Sequence, residues 1–71
     1  MYTNYWVHDD HIYGPAAYTG FFIQDGHILG PKGKTEFQLE GVQIHGPDGD
    51  TDYRIVDDRI LGPTVQPPWG A

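Results

Sequence analysis

Apolar and polar residues alternate along this chain in short stretches. Thr35, Phe37 and Leu39, for example, alternate with charged or amide residues at positions 34, 36, 38 and 40. Alternation with a period of two predicts a β-strand with one buried face. Apolar spacing typical of a helix is missing, and a Gly-Pro pair every sixteen residues leaves no room for a helix of ordinary length.

The alternating stretch occurs four times, at a spacing of 16 residues and without gaps. Six of the sixteen positions keep their residue type in every repeat, which predicts a repeat architecture. These positions are Thr (Thr3, Thr19, Thr35, Thr51), an aromatic residue (Tyr5, Phe21, Phe37, Tyr53), an aliphatic residue (Val7, Ile23, Leu39, Ile55), Ile (Ile12, Ile28, Ile44, Ile60) and Gly-Pro (Gly14-Pro15, Gly30-Pro31, Gly46-Pro47, Gly62-Pro63).

Each repeat contains a signal for a tight hairpin turn. The two residues at the centre of the turn are Asp9-Asp10, Asp25-Gly26, Gly41-Val42 and Asp57-Asp58 in the four repeats. Asp-Gly suits a type I′ turn and a leading Gly suits a type II′ turn. A two-residue turn places Val7 opposite Ile12 and Tyr5 opposite Gly14, so that the aromatic ring covers the bare glycine backbone.

We therefore predict a single all-β domain over residues 1–71, built from four 16-residue β-hairpin repeats (1–15, 16–31, 32–47 and 48–63) and a C-terminal tail (64–71). The hairpins fit either a pseudo-fourfold arrangement around a central axis or an eight-stranded up-and-down barrel. In the tail, Trp69 lies sixteen residues after Tyr53, at the aromatic position of a partial fifth repeat. We expect Trp69 to pack against the first hairpin or against a neighbouring subunit.

Four hairpins with aromatic, Ile and Asp-Gly signals in this order resemble the bacterial four-fold β-flower domains. The resemblance covers roughly residues 2–63. It implies four hairpins arranged as petals about a pseudo-fourfold axis, and it carries over no catalytic residue.

Composition and charge narrow the function classes. The chain has no Cys and no Ser, and ten carboxylates against four Lys and Arg give a net charge of −6. This excludes disulfides and Ser or Cys nucleophiles, and it argues against nucleic-acid binding, which needs a basic surface. No apolar run approaches the ~18 residues of a membrane helix. We expect a cytoplasmic protein without nucleic-acid or membrane partners.

The strand face opposite the repeated aliphatic residues differs most between repeats. Its paired positions are Trp6 with Tyr13, Phe22 with Leu29, Gln38 with His45, and Arg54 with Leu61. An exposed group of Trp6, Tyr13, Phe22 and Leu29 is a large apolar patch for a small chain, and such patches mark contact surfaces. We interpret it as a homo-oligomer interface. The alternatives are a second layer of the core, or a groove that stacks a sugar on Trp6.

Three histidines suggest a metal site. His8 and His11 flank the first turn, and His27 holds the equivalent place in the second repeat. Cross-strand neighbours of this kind share a divalent ion in some proteins. Gln43 and Arg59 occupy the same position in the third and fourth repeats, so solvated histidines and no cofactor are the default expectation.

No convergent set of acid, base and nucleophile is visible, so we do not predict an enzyme. The leading hypothesis is a structural or interaction module that self-associates through its apolar face. The alternative is a module that binds a small ligand or a glycan through exposed aromatic residues such as Trp6, with Trp69 as a further contact residue.

Overall fold

Every repeat forms the predicted β-hairpin. The computed structural model describes residues 1–69, and its strands are β1 (Tyr2–His8), β2 (His11–Tyr13), β3 (Tyr18–Gln24), β4 (His27–Gly30), β5 (Gly33–Glu40), β6 (Gln43–Gly46), β7 (Gly49–Val56) and β8 (Arg59–Leu61). Within residues 1–69 there is no helix long and apolar enough to span a membrane.

The tight turns inside the hairpins have the backbone geometry that their residues predict. In the first hairpin both central residues are left-handed, with φ of 50° at Asp9 and 64° at Asp10. Asp25 and Gly26 share this geometry, and in the third hairpin Gly41 leads the turn with a φ of 64°. Positive φ at both central residues characterises type I′ turns, whose twist matches that of the flanking strands.

Strand register within the hairpins is the predicted one. Val7 pairs with Ile12, and Trp6 pairs with Tyr13 one residue further along each strand. The other three hairpins repeat this register. Because side chains alternate across a strand, this register places the repeated residues on one face and the variable residues on the other.

Consecutive hairpins also pair with each other, and the ladder closes. All eight strands are antiparallel to their neighbours in chain order, and β8 pairs with β1 through Tyr2 with Leu61 and Trp6 with Arg59. The protein is therefore an eight-stranded up-and-down barrel, which confirms one of the two predicted arrangements. Closure leaves no sheet edge unpaired, which removes a common route to aggregation.

The repeated residues fill the barrel. The isoleucines Ile12, Ile28, Ile44 and Ile60 are completely buried, and the partly buried aliphatic residues Val7, Ile23, Leu39 and Ile55 pack against them. The repeated aromatic residues also belong to this core: Tyr53 is buried, and Tyr5, Phe21 and Phe37 pack against the buried cluster. Eight strands make a barrel just wide enough for side chains to fill, so the interior is a core and not a channel.

The repeated threonines connect each hairpin to the one before it. Thr19 Oγ1 donates a hydrogen bond to the Ile12 carbonyl at 2.6 Å and accepts one from the Phe21 amide at 3.1 Å. Thr35 and Thr51 make the same bond to the preceding hairpin, and Thr3 donates to the Ile60 carbonyl at 2.7 Å across the closing seam. One hydroxyl thus satisfies two backbone groups at each hairpin junction.

A β-bulge follows the threonine at the hairpin junctions. Register shifts occur where β1 meets β8, β2 meets β3, β4 meets β5 and β6 meets β7. Asn4, Gly20 and Asp52, each directly after a threonine, have φ of 69°, 89° and 66°. Gly, Asn and Asp adopt such left-handed backbone at least cost, and bulges supply the bending that a small barrel needs.

The aromatic rings lie directly on the glycines opposite them. A Cβ placed on Gly14 would lie 2.7 Å from Tyr5 Cε2, and one on Gly30 would lie 2.8 Å from Phe21 Cε1. A real Cβ does not approach so closely. The glycines are therefore needed because the rings occupy the space of a side chain.

We expect Gly14→Ala to destabilise the barrel by about 1–3 kcal/mol, since the added methyl group must displace the Tyr5 ring. In a Tyr5→Leu background the same substitution should cost clearly less, because the ring is gone. Urea unfolding of the four proteins of this double-mutant cycle measures the coupling. An equal cost of Gly14→Ala in both backgrounds would contradict the ring-on-glycine account.

Candidate functional site

A row of aromatic side chains runs across the outside of β1 to β4. Trp6 pairs with Tyr13, Tyr13 with Tyr18 on the next strand, and Phe22 with Leu29. The row belongs to the strand face that points away from the filled barrel. We call these five residues, Trp6, Tyr13, Tyr18, Phe22 and Leu29, the aromatic face.

The rings of the aromatic face contact one another. Trp6 and Tyr13 lie nearly parallel, with an interplanar angle of 12° and centroids 6.0 Å apart. The Tyr13 and Tyr18 centroids are 5.3 Å apart, and His11 lies 5.4 Å from Tyr18 and 6.2 Å from Phe22. These separations are those of favourable aromatic pairs, so the cluster forms a preorganised surface.

This surface is open to solvent. Trp6 is 38% exposed and Tyr18 is 45% exposed, while Tyr13, Phe22 and Leu29 are half-buried. The interior layers are made by the repeated residues on the other strand face. Among residues 1–69, the core cluster and the residues packed against it include none of Trp6, Tyr13, Phe22 and Leu29, so this face is not a second layer of the same core.

The corresponding outer positions of β5 to β8 are mostly polar. Gln38 pairs with His45, and His45 pairs in turn with Asp50. Arg54 pairs with Gln43 and with Leu61. The barrel thus has one aromatic half and one polar half on the same scaffold.

At the closing seam the aromatic face meets a cation. Arg59, the strand partner of Trp6, places its guanidinium carbon 5.8 Å from the centre of the Tyr2 ring. Tyr2 is also exposed. This cation–π contact extends the surface around the seam onto β8.

The structure brings two of the three candidate metal-binding histidines together. His8 and His11 are cross-strand partners beside the first turn, whereas His27 lies in the second hairpin. His11 Nδ1 donates to the Asp9 carbonyl at 2.8 Å, and His8 Nε2 lies 3.4 Å from Asp9 Oδ2. Residues 1–69 contain no group of three or more His, Cys, Asp or Glu side chains placed to hold a metal. His8 contacts the ring of Tyr13 and His11 contacts the ring of Tyr18, both on the aromatic face.

Trp69 lies away from the aromatic face, at the end of the barrel where the hairpins are connected. Its ring centroid is 5.5 Å from that of Phe21 and 6.3 Å from that of Phe37. The rings that Trp69 contacts thus belong to the second and third hairpins and not to the first, because the tail crosses the barrel end. Contact of Trp69 with a neighbouring subunit stays a prediction.

Sequence reasoning missed Tyr18, Tyr2 and Arg59. The signal for Tyr18 was present, because a four-residue connection pairs the residues on either side of it. Gly14 N donates to the Ala17 carbonyl at 2.9 Å, and Tyr13 consequently pairs with Tyr18. Tyr2 and Arg59 meet only because the barrel closes, which no local pattern indicates.

Comparison with protein-family models, with curated proteins and with solved structures finds no match to this chain. The resemblance to four-fold β-flower domains therefore stays a prediction.

We expect Trp6 and Tyr13 to stabilise the fold by about 0.5–1.5 kcal/mol beyond their separate contributions, because their rings stack. A double-mutant cycle with Trp6→Ala and Tyr13→Ala, measured by urea unfolding, gives this coupling energy. Gln38 and His45 hold the same register positions in the third hairpin and serve as the matched control pair. A coupling no larger than that of the control pair would contradict the stacking.

Proposed function

We propose that this protein is a non-enzymatic interaction module that self-associates through its aromatic face. The observation that carries the proposal is the exposure of Trp6 and Tyr18 within a contiguous, preorganised ring cluster. Aromatic residues clustered at the centre of a patch are typical of interface hot spots.

The distribution of charge supports a second copy as the partner. The chain carries a net charge of −6, so two copies repel each other over most of their surface. The aromatic face contains no carboxylate. Acidic residues lie in the turns, such as Asp9, Asp25 and Asp57, or on β5 and β7, such as Glu36 and Asp52. Contact through the aromatic face therefore buries the least like charge.

We infer that the four hairpins are arranged with pseudo-fourfold symmetry. The aromatic face does not follow this symmetry, because it occupies only β1 to β4. A single patch per barrel favours a closed two-fold dimer, in which the patch contacts its own copy, over a ring. Four strands at about 4.8 Å spacing make a face about 19 Å wide, so the dimer interface is small. Interfaces below about 1,200 Å² of total buried area belong to weak complexes, and we propose a weak, concentration-dependent dimer.

Phe22→Glu should weaken the dimer, because it places a charge in the centre of a face that loses its water on association. Sedimentation equilibrium between about 5 and 500 μM, which brackets a micromolar Kd, measures the monomer fraction. We expect the dimer constant to weaken at least tenfold, with the circular dichroism spectrum unchanged.

The matched control is Gln38→Glu, which introduces the same charge at the equivalent register position of the third hairpin. It should leave the dimer nearly unchanged. An unaltered protein that stays monomeric up to the highest concentration, or an equal loss of dimer in both variants, would reject the proposal.

A second candidate function is glycan binding, favoured by the nearly parallel Trp6 and Tyr13 rings beside Arg59. Exposed rings accept the apolar face of a sugar, and an adjacent guanidinium donates hydrogen bonds to hydroxyl groups. This candidate uses the same surface without requiring a second copy.

Under the glycan hypothesis, oligosaccharides of glucose or N-acetylglucosamine should shift the NMR signals of Trp6 and Tyr13. Trp6→Ala should weaken binding at least tenfold, since it removes the stacking platform, while Gln38→Ala should have no effect. If no sugar shifts these signals at several millimolar, the glycan hypothesis fails and the dimer is unaffected.

A further inference from the structure

The barrel end where the hairpins are connected carries a second group of aromatic rings, separate from the aromatic face. Tyr5, Phe21, Phe37 and Tyr53 lie there on the inner strand face, next to the Gly-Pro connections. We call this the loop end of the barrel. Gly62 still pairs with Met1 through two backbone hydrogen bonds, and residues 63–69 then cross the loop end outside any strand. The indole of Trp69 packs against Phe21, Phe37 and the buried core.

Few polar contacts hold the tail in this position. The Tyr53 hydroxyl bonds to Thr64 Oγ1 at 2.9 Å and donates to the Gln66 carbonyl. Pro67 is buried, but Val65 is 53% exposed and Thr64 bonds mainly within the tail. Packing of the partly buried Trp69 and the buried Pro67 is thus the main attachment of the tail. A segment held by so few hydrogen bonds opens at a smaller free-energy cost than a paired strand.

The partly buried indole is imperfectly matched to its surroundings. Trp69 Nε1 is inaccessible to solvent and has no hydrogen-bond partner among the described residues. A buried donor without an acceptor opposes burial, because the group loses its hydrogen bond to water and gains none in return. The loop end therefore accepts a flat bicyclic ring but disfavours a donor on that ring.

Open space lies beside the two phenylalanine rings that Trp69 contacts. An open groove of about 310 Å³ lies along Phe21, Gly30 and Pro31, and one of about 340 Å³ lies along Phe37 and Pro68. Phe21 and Phe37 are also the two rings that contact Trp69.

We propose that the loop end of the barrel is a binding site for a small, flat bicyclic aromatic molecule that lacks a hydrogen-bond donor at its buried edge, and that Trp69 occupies this site as a displaceable lid. The juxtaposition of Phe21, Phe37 and a weakly tethered indole with an unpaired donor carries the proposal. It is independent of the aromatic face, which lies on the outside of the barrel.

The first test uses Trp69→Ala with benzofuran and indole, which share a shape but differ in the donor. Titration calorimetry should show one benzofuran bound per chain, about tenfold more tightly than indole, because only indole buries an unpaired N–H. Trp6→Ala, which leaves the lid in place, is the control and should bind benzofuran at least tenfold more weakly than Trp69→Ala does. Equal binding to both variants, or no binding to folded Trp69→Ala, would overturn the proposal.

The second test uses the unaltered protein, so it decides the question even if Trp69→Ala does not fold. Hydrogen exchange of the Trp69 Nε1–H, followed by NMR, should accelerate at least tenfold at saturating benzofuran as the lid is displaced. An exchange rate unchanged by benzofuran overturns the proposal. A concentration-dependent dimer that vanishes in Trp69→Ala, with no response to benzofuran, also overturns it and identifies a second copy's tail as the occupant.

Discussion

The hydrogen bond from each repeated threonine to the isoleucine carbonyl of the preceding hairpin is the contact on which this barrel depends. Four separate hairpins bury one face each and leave eight edges unpaired. The Thr19 bond to Ile12 and its equivalents place the hairpins at a constant offset, and Thr3 applies the same bond to Ile60 where the chain closes on itself. The same hydroxyl accepts the amide two residues later, which stabilises the bulge that bends the sheet.

The closed barrel constrains the inner strand positions and leaves the outer positions free to differ between hairpins. Inner positions must match the small barrel interior, so Ile12 and its three equivalents are identical and fully buried. Outer positions are under no such limit. One half of the outer surface has therefore become aromatic and the other polar, although the backbone beneath Phe22 and Gln38 has the same register.

The two aromatic groups of the barrel differ in what covers them. At the loop end the chain supplies its own cover, since Trp69 packs against Phe21 and Phe37. On the aromatic face Trp6 and Tyr18 both contact the Tyr13 ring, and they themselves remain open to solvent. The outer face can therefore differ between hairpins without any change in the core, because it contributes little to the filling of the barrel.

The sequence by itself determined the hairpins, their register and the residues of the core. These follow from interactions within sixteen residues, where turn chemistry at Asp25-Gly26 and alternation along one strand suffice to place Ile23 opposite Ile28. Only the tertiary structure decided that the ladder closes, that Tyr2 meets Arg59 across the seam, and that Trp69 reaches the second and third hairpins. Closure and the path of the tail depend on the total twist and stagger of eight strands. That total cannot be predicted from the residue pattern within any one hairpin.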